Sequence, residues 1–171
     1  FYSIEGNLIR VFHHKNKWYK TTHHKLDANS SYWSSKTSFG EMFDNAVGDL
    51  SALYDRLDKS NIYMFIVENN NENRIVCDAN DNPSVFHVCT MNDGKISFED
   101  NVGIKKPNRC NEKNAHDLRK YVENIDIYKN QGVIIFNNDG TQDKVYNDIY
   151  NDLMEVRGNE QSIRFRYLQL R

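Results

Sequence analysis

Aromatic and β-branched residues fill two short segments near the start of the chain, at residues 7–14 and 17–23. Apolar side chains are interspersed with polar ones in both, a pattern typical of half-buried β-strands. The polar run His14-Lys15-Asn16-Lys17 between them is suited to a tight turn. Together these patterns predict a β-hairpin.

This hairpin contains two pairs of adjacent histidines, at 13–14 and at 23–24. With the turn at its centre, the first pair begins opposite Trp18 and the second begins opposite Leu8, so the pairs are several residues apart along the ladder. Four imidazoles that far apart do not ligate one ion. We therefore predict no metal site here.

A helical pattern follows the hairpin. Ser38 and Glu41 have the spacing of a capping box, which starts a helix. Behind them, large apolar residues recur every three or four positions: Phe43, Val47, Leu50, Tyr54 and Leu57. This spacing predicts one amphipathic helix of roughly five turns, with its apolar side in the core.

The middle of the chain contains short runs of β-forming residues bounded by turn-forming ones. They lie at residues 62–68, 74–78 and 84–91, and a further short run follows the turn signal Asn92-Asp93-Gly94. Neighbouring strands of this kind predict an antiparallel meander. Residues 100–114 show no periodicity, so we expect a loop there.

The last third of the chain mixes helices and strands. The predicted elements are a helix at 112–124, a buried strand at 132–136, a turn at Asn138-Asp139-Gly140, a short strand around Lys144, and a helix at 148–156 ended by Gly158. The tail SIRFRYLQLR nearly alternates and is predicted to be a strand. No repeat or linker divides the chain, so we predict one α+β domain over residues 1–171.

Length, charge and cysteine content narrow the class of protein. At 171 residues the chain can bury about two-thirds of its unfolded surface. Its net charge of −2 argues against a non-specific polyanion binder but allows a local basic groove. The three cysteines have no CxxC spacing, which favours a reducing compartment. No signal peptide or membrane-length apolar run is present, so we predict an intracellular protein without membrane contact.

Four side chains of reactive type are expected to be inert. Cys77, Cys89 and Cys110 are predicted to be core or loop thiols. His87 lies within an apolar strand and is predicted to be a core histidine. None of them is therefore a candidate site residue.

The opening stretch FYSIEGNLIRVF provides the first candidate site. Glu5-Gly6 stands directly before an apolar, β-branched run and predicts a tight turn that leads into a strand. Such a turn is a place where the backbone can approach a ligand closely.

Several segments, taken in order, resemble the ATP-dependent RNA ligases of phages and large DNA viruses, which are covalent nucleotidyltransferases. They are EGNLIRVFHHKNKWYKTTHHKLDA, SYWSSKTSFGEMF, YMFIVENNNENRIV, QGVIIF, DKVYNDIY and RGNEQSIRFRYLQLR. The resemblance implies a nucleotidyltransferase core of two antiparallel sheets flanked by helices, without the segment that such ligases carry upstream. It also implies a viral protein, located in the host cytoplasm or the virion.

The residues that perform catalysis in that family differ here. The family uses a lysine in a K-x-D/E-G motif to attack the α-phosphate of ATP, and carboxylates to hold a divalent metal. Ser3 takes the place of the lysine, ahead of Glu5-Gly6. Ile66 or Val67 takes the place of one carboxylate, and Gln131 takes the place of another. The resemblance therefore implies no catalytic residue and no metal site.

Other positions of the family pattern have changed as well. His23 stands where the family has a basic residue, and Met91 stands where it has an arginine. Lys144 keeps the place of one of two final lysines, and Tyr146 replaces the other. The resemblance implies that the apolar framework is kept while the reactive groups are lost.

The implied remnant of a nucleotide cleft combines these positions with their neighbours: Ser3, Glu5, Gly6, His23, Gln131, Gly132 and Lys144. A cleft with one permanent cation and no metal-holding carboxylates should bind ATP weakly and form no covalent adduct. We therefore predict a catalytically inactive pseudoenzyme without a cofactor. It would serve as a binding or assembly module for an unknown protein partner or RNA.

An active enzyme is one alternative. A ligase or nucleotidyltransferase with an unusual site would use ATP and magnesium, and an unrecognised lysine such as Lys20 or Lys144 would be its nucleophile.

Nucleic-acid binding is the other alternative. Arg164, Arg166 and Arg171 alternate with Phe165 and Tyr167 in the tail, which suits a strand that contacts phosphates and stacks bases. A solvated edge strand explains the same alternation and is the preferred interpretation.

Overall fold

The computed structural model describes residues 1–79, 82, 84–137 and 141–171. Its strands are β1 (Tyr2–Ser3), β2 (Gly6–His14), β3 (Lys17–Thr21), β4 (Ile62–Glu68), β5 (Val85–Asn92), β6 (Lys95–Ser97), β7 (Gly132–Phe136) and β8 (Gln142–Tyr146). Its α-helices are α1 (Phe39–Val47), α2 (Leu50–Tyr54), α3 (Ala115–Glu123), α4 (Asp148–Arg157) and α5 (Ile163–Leu170). Two antiparallel sheets with several helices confirm the predicted α+β class.

The chain divides into two compact units. The three-stranded unit comprises residues 1–5, 71–79 and 107–171 and holds the sheet β1-β7-β8. The five-stranded unit comprises residues 6–70 and 80–106 and holds the sheet β3-β2-β4-β5-β6. The single domain inferred from the sequence stays a prediction.

The predicted hairpin is confirmed as β2 and β3 of the five-stranded unit. Lys15 and Asn16 form its turn with positive φ angles of 44° and 63°, which suit a type I′ turn. His13 pairs with Trp18, as expected from a hairpin with this centre.

The second predicted pairing in this hairpin is wrong. Strand β3 ends at Thr21, so the ladder stops before His23. Leu8 pairs with Ile66 on β4, which lies on the other side of β2 and pairs with it from Gly6 to Phe12.

The core of the five-stranded unit follows the alternation along its central strands. Tyr63, Phe65 and Val67 of β4 are buried, and so are Ile9 and Val11 on the neighbouring β2. Strands β4, β5 and β6 pair in sequence and confirm the predicted meander.

The long predicted helix is interrupted. Its capping box is present, since Ser38 Oγ accepts the N–H of Glu41 at 3.1 Å and the Glu41 carboxylate accepts the N–H of Ser38 at 2.8 Å. However, Gly48 has a φ of 77° and ends α1. Asp49 then caps α2 by accepting the N–H of Ala52 at 3.0 Å. The apolar period thus continues across two short helices.

Another local prediction is wrong, because residues 74–78 do not form a strand. The N–H groups of Ile75, Val76 and Cys77 donate to a side chain and not to a neighbouring strand. The loop predicted at 100–114 is confirmed, since those residues contain neither helix nor strand.

The three-stranded unit contains most of the elements predicted for the last third of the chain. The strand at 132–136 is confirmed as β7, and the helix ended by Gly158 is confirmed as α4. The predicted helix at 112–124 is α3, which begins after the cap residue Asn114. The turn predicted at Asn138-Asp139-Gly140 lies outside the described residues.

The C-terminal tail is a helix, so the predicted strand is wrong. Ser162 caps α5 by accepting the N–H of Phe165 at 3.2 Å. Ile163, Tyr167 and Leu170 have helical spacing, which the alternation of arginine with aromatic residues obscures in the sequence. No helix within the described ranges is both long enough and apolar enough to cross a bilayer.

Candidate functional site

The segment between β1 and β2 is organised around the carboxylate of Glu5, which is only 5% exposed. It accepts the backbone N–H groups of Ile75 at 2.8 Å and of Val76 and Cys77 at 2.9 Å each. The hydroxyl of Tyr150 on α4 donates a fourth hydrogen bond at 3.1 Å. Donors of the protein itself thus surround the carboxylate, and they tie residues 75–77 and α4 to the start of the chain.

The same carboxylate affects two neighbouring acidic groups. Burial and then the negative charge of Glu5 raise the pKa of the Cys77 thiol and the pKa of the Tyr150 hydroxyl. Both groups therefore stay protonated near neutral pH. Burial also raises the pKa of Cys89, to about 11. Cys77 and Cys89 are accordingly poor nucleophiles, because the thiolate is the reactive form.

Ser3 and Gln131, two of the predicted cleft residues, are in contact. Ser3 is 2% exposed, and its hydroxyl donates to the side-chain oxygen of Gln131 at 3.3 Å. The N–H of Gln131 also donates to the backbone oxygen of Ser3 at 3.1 Å. These bonds join β1 to the start of β7, which explains a polar pair at this position without a ligand.

Gly132 follows this pair and is required by strand packing. A Cβ atom added there would lie 2.0 Å from the backbone oxygen of Val145 on β8. Its φ of 152° also disfavours an L side chain. Lys144, on the same strand β8, is exposed, and its amine lies 6.0 Å from the ring centre of Tyr146.

Gly6 and His23, the other two predicted cleft residues, belong to the five-stranded unit. A Cβ atom on Gly6 would lie 2.3 Å from the backbone oxygen of Val67, so the β2–β4 pairing requires glycine there. His23 is exposed and its Nδ1 atom lies 3.3 Å from a guanidinium nitrogen of Arg10. The shared cleft would involve both units and stays a prediction.

Lys20, proposed as an alternative nucleophile, forms an ion pair. Its amine lies 2.5 Å from the Asp44 carboxylate on α1. This ion pair joins β3 to α1. Among the described residues no group of three or more histidine, cysteine, aspartate or glutamate side chains could hold a metal ion.

Two apolar stripes on α4 and α5 form the most prominent exposed feature of the three-stranded unit. On α4 the stripe consists of Ile149, Leu153 and Val156, which are 59%, 37% and 57% exposed. On α5 it consists of Ile163, Tyr167 and Leu170, which are 69%, 62% and 54% exposed. Both have i, i+4, i+7 spacing, so each lies along one side of its helix. We call these six residues the α4–α5 surface.

A groove of about 400 Å³ runs along this surface. Five residues of the α4–α5 surface line it, and Ile75, Val76 and Tyr128 add further apolar and aromatic area. Three arginines, Arg74, Arg157 and Arg166, also line the groove. No carboxylate occurs among the described residues that line it, so the groove is apolar and positively charged.

The arginines proposed for nucleic-acid binding have different roles in α5. Arg166 donates to the backbone oxygens of Val156 and Glu155 at 2.8 Å each, and so satisfies the last carbonyls of α4. Arg164 and Arg171 are exposed. Because residues 163–170 are helical, the three side chains do not form the basic strand that the nucleic-acid-binding alternative assumed.

A second, polar pocket of about 330 Å³ lies in the five-stranded unit. Thr90, Ser97 and Asp100 line part of it. Hydrogen bonds from the hydroxyls of Thr90 and Ser97 hold the pKa of Asp100 below its ordinary value. Behind this pocket, Nε2 of His87 lies 3.2 Å from the Thr90 hydroxyl oxygen.

His87 should make stability dependent on pH. It is fully buried, and burial, followed by the charge of Lys106, lowers its pKa. As pH falls below about 6.5, the unfolded chain takes up a proton that the folded chain resists. The free energy of unfolding should therefore fall, by up to about 1.4 kcal/mol per pH unit. Urea unfolding between pH 7.5 and 5.5 measures this slope.

A matched pair of variants isolates the His87 contribution. His87→Phe should flatten the slope, whereas His116→Gln, at an exposed position on α3, should leave it unchanged. An equal slope in His87→Phe and the unmodified chain would show that His87 is not responsible.

Comparison with known proteins identifies viral relatives. No protein-family model matches the chain. The chain is 35% identical to an immediate-early protein ICP-46 homolog of Invertebrate iridescent virus 3, over 99% of its own length and 39% of that protein. It is 31% identical to the homolog of Invertebrate iridescent virus 6, over 98% of its own length and 42% of the relative. It is 25% identical to immediate-early protein ICP-46 of Frog virus 3 (isolate Goorha), over 98% and 49% respectively.

The comparisons correct the resemblance inferred from the sequence. The matched relatives are named immediate-early protein ICP-46 or homologs of it, and no family model matches. Neither finding indicates an RNA ligase or a nucleotidyltransferase, so that assignment is wrong. The relatives are proteins of iridoviruses, which agrees with the predicted viral character. The chain spans about two-fifths to half the length of the curated relatives it matches.

Proposed function

We propose that this chain is a protein-binding module and that the α4–α5 surface is its binding site. One observation carries the proposal: no residue of α5 is buried, although five of its eight residues are large and apolar. Exposing a contiguous apolar area to water is unfavourable, and such areas commonly mark sites of protein interaction. Covering them with a partner would recover the hydrophobic free energy.

The groups with reactive chemistry support binding over catalysis. Ser3 and Gln131 bond to each other, Glu5 accepts four hydrogen bonds, and Lys20 is paired with Asp44. These contacts stabilise local structure in each case. Since the matched relatives are immediate-early proteins of iridoviruses, we place the proposed interaction inside infected cells.

An extract of iridovirus-infected cells provides the test of this function. The amount of partner captured by the immobilised chain should fall about tenfold or more with Leu153→Glu. The reason is that a charge replaces an apolar contact worth roughly 1.5 kcal/mol or more. Phe165→Glu is the matched control, since Phe165 projects from the opposite side of α5 and does not line the groove. Quantitative mass spectrometry measures the difference.

Two outcomes would contradict the proposal. Equal capture by both variants and the unmodified chain would show that the α4–α5 surface does not bind the partner. Loss of groove-dependent capture after ribonuclease treatment would show that RNA, and not protein, is recognised.

A further inference from the structure

We propose that the groove of the α4–α5 surface binds an amphipathic α-helix of a separate protein, with its apolar side in the groove and its acidic side chains against Arg74, Arg157 and Arg166. This inference rests on the proposed function and names the class of partner.

The spacing of the apolar residues favours a helix as the partner. Each stripe repeats at i, i+4 and i+7, which is the pattern that packs against another helix. Leu153 and Val156 of α4 lie on one wall of the groove, and Ile163, Tyr167 and Leu170 of α5 lie on the other. Two such helices leave a position for a third, as in recognition of an amphipathic helix by a groove.

The two walls are held in place before a partner binds. Arg166 of α5 bonds to two carbonyl oxygens at the end of α4, and the Arg157 guanidinium donates to the backbone oxygen of Glu160 in the connection. Gly158 ends α4 with a φ of 59°. A preformed groove lowers the ordering cost of binding and makes the walls specific for one shape of partner.

The charges along the groove favour acidic residues in the partner. Arg74 pairs with Asp78 at 2.8 Å, on the surface of the unit. Arg166 donates to neutral carbonyl oxygens, so those bonds leave its positive charge uncompensated. Although Asp78 offsets part of the charge of Arg74, no carboxylate occurs among the described residues that line the groove, so the groove complements carboxylates beside an apolar stripe.

Other occupants fit this surface less well. A second copy packed through the same groove would bring Arg74, Arg157 and Arg166 of one chain towards the same residues of the other, and like charges repel. A bilayer favours helices with one apolar side. Helix α5 instead exposes Phe165 and Leu168 on the side opposite the groove.

Fluorescence anisotropy with three labelled peptides tests the proposal. The first is a helical peptide of about 20 residues, long enough to form a helix, with leucines at i, i+4 and i+7 and glutamates beside them. The second replaces every glutamate by lysine, and the third has the composition of the first in scrambled order. The acidic peptide should bind at least tenfold more tightly than either control. Its affinity should fall several-fold between 0.05 and 0.5 M NaCl.

Variants of the chain locate the binding site. Leu153→Glu should lower the affinity for the acidic peptide at least tenfold, and Phe165→Glu should change that affinity by no more than about twofold. Arg74→Gln removes one positive charge at a half-exposed position and frees the carboxylate of Asp78, so it should weaken binding of the acidic peptide several-fold and should not weaken binding of the lysine peptide. Thermal melts establish that each variant folds. If Leu153→Glu does not fold, the affinities of the three peptides for the unmodified chain still test whether the groove binds an acidic helix.

Several results would overturn the proposal. Equal binding of the acidic and lysine peptides, or no binding of either, excludes an acidic helix. Dimerisation that Leu153→Glu abolishes identifies a second copy as the occupant. Groove-dependent binding of anionic vesicles or of single-stranded RNA identifies another class of partner. If capture from infected cells still requires Leu153, only the partner class is wrong; if it does not, the proposed function itself fails.

Discussion

Replacing Glu5 by glutamine should lower the free energy of unfolding by about 2 to 4 kcal/mol, among the largest effects of any isosteric change in the chain. Three backbone N–H groups and the Tyr150 hydroxyl donate to this carboxylate. An amide keeps one acceptor oxygen and turns an NH₂ group towards the remaining donors. At least one buried donor then loses its partner, and the charge-assisted bonds become neutral ones.

Urea unfolding of Glu5→Gln and of Glu123→Gln measures this difference. Glu123 is exposed on α3, so its replacement should change the free energy of unfolding by less than about 0.5 kcal/mol. Tyr150→Phe removes one donor and should cost less than Glu5→Gln. Equal stability of Glu5→Gln and Glu123→Gln would show that the carboxylate does not organise the segment between β1 and β2.

Replacing Gly132 by alanine should destabilise the three-stranded unit by about 3 kcal/mol or more, because overpacking and backbone strain add. The new Cβ would lie 2.0 Å from the backbone oxygen of Val145 and 2.8 Å from the Cα atom of Tyr146. Neither atom belongs to a flexible side-chain end, so β7 and β8 would have to separate.

Gly94→Ala is the control for this prediction. Gly94 has a φ of 76°, but a Cβ atom there would have no neighbour within 4 Å. Its replacement should cost only the local backbone strain, roughly 1 to 2 kcal/mol. The midpoint of urea unfolding should therefore fall much further for Gly132→Ala. Equal losses of stability in the two variants would mean that the close approach of β7 and β8 does not add to the destabilisation of Gly132→Ala.

Local elements were predictable wherever the local sequence signals agree with one another. The turn at Lys15-Asn16, the capping box at Ser38 and the strand at 132–136 all form as their patterns predict. In these places the hydrophobic period, the turn residues and the caps agree, so little depends on distant parts of the chain.

Predictions failed where distant contacts decide the local structure. Residues 74–78 have the composition of a strand, but Glu5, about 70 positions earlier in the chain, binds their N–H groups. The apolar residues of the tail fit both the period of a strand and the period of a helix. The tail forms a helix, which Ser162 caps. The apolar period at 43–57 continues across Gly48, which ends α1.

The candidate site illustrates why residue matches misled the family assignment. Glu5 takes part in an internal hydrogen-bond network, and Gly6 and Gly132 lie where neighbouring strands approach closely. These demands of folding account for the E-G pair and the G-V-I-I-F strand without any nucleotide chemistry. The α4–α5 surface was missed because its two stripes lie on separate helices, one of which was read as a strand.

Methyl NMR of the isotopically labelled chain, titrated with the acidic helical peptide, tests the central claim most directly. The methyl signals of Leu153, Ile163 and Leu170 should shift in a saturable manner, because these side chains line the groove. Leu168 lies on the opposite side of α5 and Ile96 lines the polar pocket of the five-stranded unit, so both should stay unchanged. No shifts at all would contradict an acidic helix as the ligand, and shifts confined to Leu168 or Ile96 would contradict the α4–α5 surface as the binding site.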